Sequence, residues 1–145
     1  MKKLLIVLIL FFSYTTYSQT AKEYFNIAHD KEENGDYYGA IADYNKAIEL
    51  DPNYAVTYYN RGVMKYFLKD YNGAIADYNK AIELNPNYSA AYSNRGNAKR
   101  ELEDYYGAIA DYNKAIELDP NDAMSYHNRG SIKRELEDYY GAITD

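Results

Sequence analysis

The chain contains no cysteine, no tryptophan, three prolines and two histidines in 145 residues. Without cysteine there are no disulfides, no thiolate metal ligands and no cysteine nucleophile. His29 and His127 lie far apart in the chain and belong to no spaced metal or triad motif, so imidazole catalysis and a metal centre have little to work with. The carboxylates recur at a fixed period, as helix caps and solvated faces do, whereas a catalytic pair would break that period. No catalytic residue, no metal and no cofactor is expected. A basic stretch is also missing, the formal net charge is -6, and acidic residues are spread along the chain. Such a field repels phosphate backbones, so nucleic acid is not expected as a partner.

Long apolar runs are absent except near the start. Met1, Lys2 and Lys3 give a positive beginning, Leu4 to Phe12 is unbroken apolar sequence, and Ser13 to Thr20 turns polar with small residues at Thr16 and Ser18. That is the three-part layout of a secretory signal peptide. Its apolar part is under half of the roughly twenty residues a spanning helix needs, so no permanent membrane span is expected. The reading is a signal segment over 1–20, cleaved after Ser18, and a secreted or periplasmic product. An uncleaved N-terminal segment tethering the chain to a membrane is the alternative.

What the chain has in abundance is repetition. DYYGAIADYNKAIELDPN fills residues 36–53 and returns unchanged at 104–121, with DYNGAIADYNKAIELNPN at 70–87 and DYYGAITD opening at 138. The period is 34 residues, which divides the chain into units 21–54, 55–88, 89–122 and a partial unit 123–145. Units of this size cannot bury their own apolar faces and are stable only when stacked. Within each unit, apolar and small residues recur at helical spacing in two bursts, as in Tyr92, Gly96, Leu102 and then Tyr105, Ala108, Ile109, Tyr112, Ala115, Ile116. Each unit therefore reads as a helical hairpin. Asp36, Asp70, Asp104 and Asp138 cap the second helices, and the Asp-Pro-Asn or Asn-Pro-Asn at 51–53, 85–87 and 119–121 ends them. Gly62, Gly96 and Gly130 sit mid-helix, at about 1 kcal/mol each against Ala, and imply close approach of the paired helix at Ala74, Ala108 and Ala142.

A large residue, Gly or Ala, then Ala, an aromatic, Ala and Pro recur at Tyr92, Gly96, Ala108, Tyr112, Ala115 and Pro120, and at matching offsets in the other units. In these residues the chain from Ala21 to Asp145 resembles the tetratricopeptide repeat family. The resemblance implies an all-α superhelical solenoid of helical hairpins that binds a peptide segment of a partner protein in a concave groove. Two departures are systematic: Arg61, Arg95 and Arg129 replace the family's Leu before the glycine, and Lys65, Lys99 and Lys133 replace its aromatic three residues after. In a stacked array the second helix of one unit lies against the first helix of the next. Asp43 is then expected to pair with Arg61, Asp77 with Arg95, and Asp111 with Arg129, three interunit pairs that fix register. The first unit has no preceding helix, and Ile27 stands there.

Asn26, Asn60, Asn94 and Asn128 occupy one place on the first helix of all four units. The resemblance puts this place in the groove, where asparagines in long family members grip the backbone of an extended peptide. An amide suits that task because it both donates and accepts. Around this ladder the first helices differ while the second helices do not. Phe25, Tyr59, Ser93 and His127 precede the asparagines; His29, Val63, Asn97 and Ser131 follow by three; Glu32, Tyr66, Arg100 and Arg134 follow by six. These spacings put them on one helix face, a selecting surface for side chains. The cationic clamp with which some family members hold the terminal acid of heat-shock proteins is missing, since Phe25, Ala90 and Asn94 stand at its places. Exposed Tyr38, Tyr106 and Tyr140 leave carbohydrate or cell-wall binding as a rival, and an uncapped C-terminal end leaves end-to-end self-association as another.

Overall fold

The computed structural model describes residues 20–144, with side chains through residue 137, and among these residues every regular element is helical. The helices are α1 (20–33), α2 (Tyr37–Leu50), α3 (Ala55–Phe67), α4 (Tyr71–Leu84), α5 (Ser89–Glu101), α6 (Tyr105–Leu118) and α7 (Ala123–Thr144). They pack as successive antiparallel neighbours, and the first helices α3 and α5 also touch across units. The signal segment expected over 1–20 lies outside the described residues apart from Thr20.

Each second helix begins at the aspartate read as its cap. Asp36, Asp70 and Asp104 accept the backbone N–H of Gly39, Gly73 and Gly107 at 2.9, 2.9 and 3.0 Å. That cap explains the glycines, because a Cβ at Gly39, Gly73 or Gly107 would sit 2.0 to 2.1 Å from the carboxylate. The turn before the cap requires positive φ, at Gly35 (77°), Lys69 (62°) and Glu103 (62°). For the two non-glycine residues this costs about 1 to 2 kcal/mol, which burial of a full second helix offsets. The second helices end at Asp51, Asn85 and Asp119, whose side chains accept from the N–H two residues on at 3.1, 3.2 and 3.0 Å. An Asx turn thus accompanies each proline stop.

One expected boundary is absent. Asp138 does not start a new helix; α7 runs unbroken from Ala123 to Thr144, through Glu137, the counterpart of Glu103.

The core is built of alanines and tyrosines: Ala28, Ala40, Tyr44, Ala74, Tyr78, Ala108 and Tyr112 are at most 1% exposed. Small residues bring the backbones together and a tyrosine fills the space at each hairpin. Gly62 and Gly96 serve these rings more than the alanines named for them, while Ala142, named for Gly130, lies outside the residues whose side chains are described. A Cβ on Gly62 would meet Tyr78 at 2.8 Å and the Ala74 carbonyl at 3.3 Å, and one on Gly96 would meet Tyr112 at 2.8 Å.

Candidate functional site: the face of the first helices

The arginines do not pair as their order in the array suggested. Arg61 donates twice to Asp77 (Nε 2.9 Å, Nη2 2.5 Å), and Arg95 donates twice to Asp111 with the same distances, both within one unit. Lys65 and Lys99 add contacts of 2.8 Å to the same carboxylates. Asp43 pairs with Lys31 of its own unit at 2.6 Å, not with Arg61. The contact between units runs through asparagine: Arg61, Arg95 and Arg129 donate to Asn45, Asn79 and Asn113 at 2.6, 2.6 and 2.5 Å. The reason is helical geometry. Asp43 and Asn45 are two residues apart, about 200° around α2, so one faces its own hairpin partner and the other the next unit. The guanidinium groups also lie over Tyr58, Tyr92 and Tyr126, 5.3 to 5.5 Å from the ring centres. Arg61 and Arg95 therefore each join three helices, which makes these positions structural.

The asparagine ladder forms part of a hydrogen-bonded network with the buried tyrosines. Tyr44 donates to Glu32 at 2.8 Å, and Asn60 lies beside the same hydroxyl. Burial, reinforced by Glu32, holds the Tyr44 pKa well above its usual value. Asn94 donates to the Tyr59 hydroxyl at 3.0 Å. Asn97 accepts from Tyr112 at 2.7 Å and from Asn128 at 2.9 Å, and its own NH2 reaches Asn94 at 3.4 Å. Burial pushes Tyr112 up to about 12 against the opposing effect of Arg100. Amides and hydroxyls thus run from α3 to α7 along the first helices.

Two cavities open beside this network. One, of about 220 Å³, is lined by Val63, Tyr66, Phe67, Tyr78, Asn94 and Asn97. It gathers one ladder asparagine with three of the variable positions around it. The other, of about 370 Å³, is lined by residues that include Phe25, Asn26, Tyr54 and Thr57. Tyr59 packs against Tyr78 and Tyr88, with ring centres 6.0 and 4.8 Å apart. Arg100 is held by Glu101 at 3.2 Å, His127 is exposed, and Arg134 contacts Ser131 at 3.4 Å. His127, Arg100 and Arg134 line neither of these cavities. His29, Asp30 and Glu33 cluster on the exposed side of α1, as acidic surface groups often do without a metal.

Family profiles named tetratricopeptide repeat match residues 55–88, 89–122 and 111–144, and a further TPR repeat profile matches 33–66. The chain is a tetratricopeptide repeat protein. Among solved structures it is similar to the first TPR domain of Spaghetti (RPAP3) bound to the HSP90 peptide SRMEEVD. That match has 32% identity and a TM-score of 0.81, over 83% of this chain and 95% of that one. The first TPR domain of human RPAP3 is 30% identical, with a TM-score of 0.80 over 86% and 98% of the two chains. Its second TPR domain, in complex with the HSP70 peptide SGPTIEEVD, is 25% identical, with a TM-score of 0.75 over 82% and 97%. Among curated proteins no sequence matches significantly.

Within this tetratricopeptide array, sequence reading missed Asn45, Asn79 and Asn113 as the interunit acceptors and Phe67 and Tyr78 as cavity walls. The asparagines were findable, because they recur as faithfully as the arginines they bind. Phe67 was not, since its counterparts Glu101 and Glu135 share neither size nor polarity with it.

Proposed function

We propose that this protein is a non-catalytic interaction scaffold whose first helices form a groove for an extended peptide segment of a partner protein. The observation that carries the reading is the convergence of Asn94, Asn97, Val63 and Tyr66 on one cavity, continuous with amides and hydroxyls reaching from Tyr59 to Asn128. Amides offer a peptide backbone both donors and acceptors, while the variable neighbours select side chains. Structures related at 25% to 32% identity hold HSP90 and HSP70 peptides, which supports peptide binding as the use of this fold. Both of those peptides end in an acidic residue, whereas Phe25, Ala90 and Asn94 are uncharged at the clamp positions, so a different class of peptide is expected here. The N-terminal segment is proposed to export the chain, placing it and its partner in the periplasm or outside the cell.

Selection of peptides from a random display library on the full chain tests the reading. Binding is expected to fall at least tenfold in Asn60→Ala/Asn94→Ala, the loss of about two amide contacts. Glycan-array binding that survives this double substitution, with no peptide selected, would overturn the reading in favour of a carbohydrate module.

A further inference from the structure

Tyr44, Tyr78 and Tyr112 hold one place in the repeat, and all three are at most 1% exposed. A hydroxyl taken out of water needs a replacement partner. Tyr44 finds Glu32 at 2.8 Å and Tyr112 finds Asn97 at 2.7 Å. The Tyr78 hydroxyl differs: among the described residues no side chain takes its proton, and Tyr78 lines the open 220 Å³ cavity, where the hydroxyl keeps contact with solvent and is free to meet a ligand. Each acceptor present in the sister units has been removed in this one. Val63 stands where unit three has Asn97, and Tyr66 stands where unit one has Glu32. Asn94, whose counterparts Asn60 and Asn128 lie beside the hydroxyls of Tyr44 and Tyr112, donates instead to Tyr59 at 3.0 Å.

We propose that this cavity is a subsite for the primary-amide side chain, glutamine or asparagine, of the bound peptide. The ligand carbonyl accepts from Tyr78, and the ligand NH2 donates to Asn94 Oδ1. This rests on the peptide-groove reading above and specifies what one part of the groove selects. The missing partner is an oxygen acceptor, the kind that Asn97 and Glu32 supply elsewhere. No charged side chain lines the cavity, which disfavours a carboxylate or ammonium there. Asn94 Oδ1 receives only the 3.4 Å contact from Asn97 and keeps capacity for a second donor. Val63, Phe67 and the ring of Tyr66 give the methylene stem an apolar wall. Burial raises the Tyr78 pKa, so the hydroxyl remains a donor across the physiological range.

Peptides selected on the full chain are expected to share Gln or Asn at one position. Tyr78→Phe, which keeps the ring, should weaken them by about two- to tenfold, the worth of one neutral hydrogen bond. It should leave analogues with Met at that position unchanged, and should not lower the melting temperature. Val63→Asn installs the internal acceptor of unit three and should weaken the same peptides. If peptides bind and are lost in Asn60→Ala/Asn94→Ala, yet show no amide preference and ignore Tyr78→Phe, the subsite is refuted and the groove stands. A preference for Asp or Glu at that position also overturns it. Failure to select any peptide overturns both.

Discussion

Replacing Arg95 by Leu and Asp111 by Ala, singly and together, measures the contact that organises each hairpin. Asp111 is 4% exposed and takes two hydrogen bonds from Arg95, at 2.9 and 2.5 Å, with Lys99 at 2.8 Å. Removing it strands two cations. The expected loss is about 3 kcal/mol, the low end for a broken buried pair, because the Arg95 and Lys99 side chains keep 17% and 22% of their exposure to water. Removing Arg95 forfeits the same two bonds and the one to Asn79. The shared bonds are lost only once in the double variant, so the coupling should be about 1.5 to 3 kcal/mol. The companion cycle of Arg95→Leu with Asp77→Ala should couple by less than about 0.5 kcal/mol, since Asp77 is occupied by Arg61 and Lys65. Urea unfolding of the full chain, followed by circular dichroism, supplies the free energies. Strong coupling in the second cycle and none in the first would refute the intraunit assignment and restore pairing between units.

Two further substitutions follow from the same geometry. Gly73→Ala should destabilise the chain by about 1 kcal/mol, because the new Cβ displaces the Asp70 cap. In an Asp70→Ala background the same change should stabilise by about 0.5 to 1 kcal/mol, the usual gain from removing a helical glycine, and a loss there in urea titrations would contradict the clash. Stability should also fall in alkali. Burial raises Tyr112 from 10 to about 12, so between these values the unfolded chain releases a proton that the folded chain retains. The stabilisation is complete below about pH 10 and fades toward pH 12, by about 2 to 3 kcal/mol for this residue. Thermal unfolding from pH 9 to 12 should show a smaller decline in Tyr112→Phe, and an unchanged decline would remove Tyr112 as its source.

Copying made the fold legible and the contacts ambiguous. The 34-residue period, the aspartate caps and the proline stops each had a local physical meaning, so hairpins and their boundaries could be read before any packing was known. Partner choice could not, because in a perfect repeat every offset recurs. Asp43 to Arg61 is a separation of 18 and Arg61 to Asp77 one of 16, and both return in each unit. Only the rotation of α2 against its neighbours distinguishes them. The asparagine ladder was visible as a row of identical residues, but its partners depend on which way each amide turns. At Asn94 that is decided by Tyr59 on another helix, a long-range fact with no periodic trace.

The same contacts explain why the second helices are copied while the first helices vary. A second helix is bound on both sides: Asp77 faces Arg61 and Lys65 of its own unit, and Asn79 faces Arg95 of the next. Tyr78 lies between them, against the backbone of Gly62. A change at any of these three must be matched on another helix. The variable positions of the first helices at the cavity are only half-buried. Val63, Tyr66 and Asn97 each keep one side open to the cavity, so they can diverge while the stack persists. Their divergence does have one internal consequence, which is that each change resets whether a buried tyrosine hydroxyl is satisfied. In units one and three it is satisfied from within the chain, and in unit two it is not. If the proposed groove binds peptides, selectivity along such an array arises from where the internal network is left open, as much as from which side chains are added.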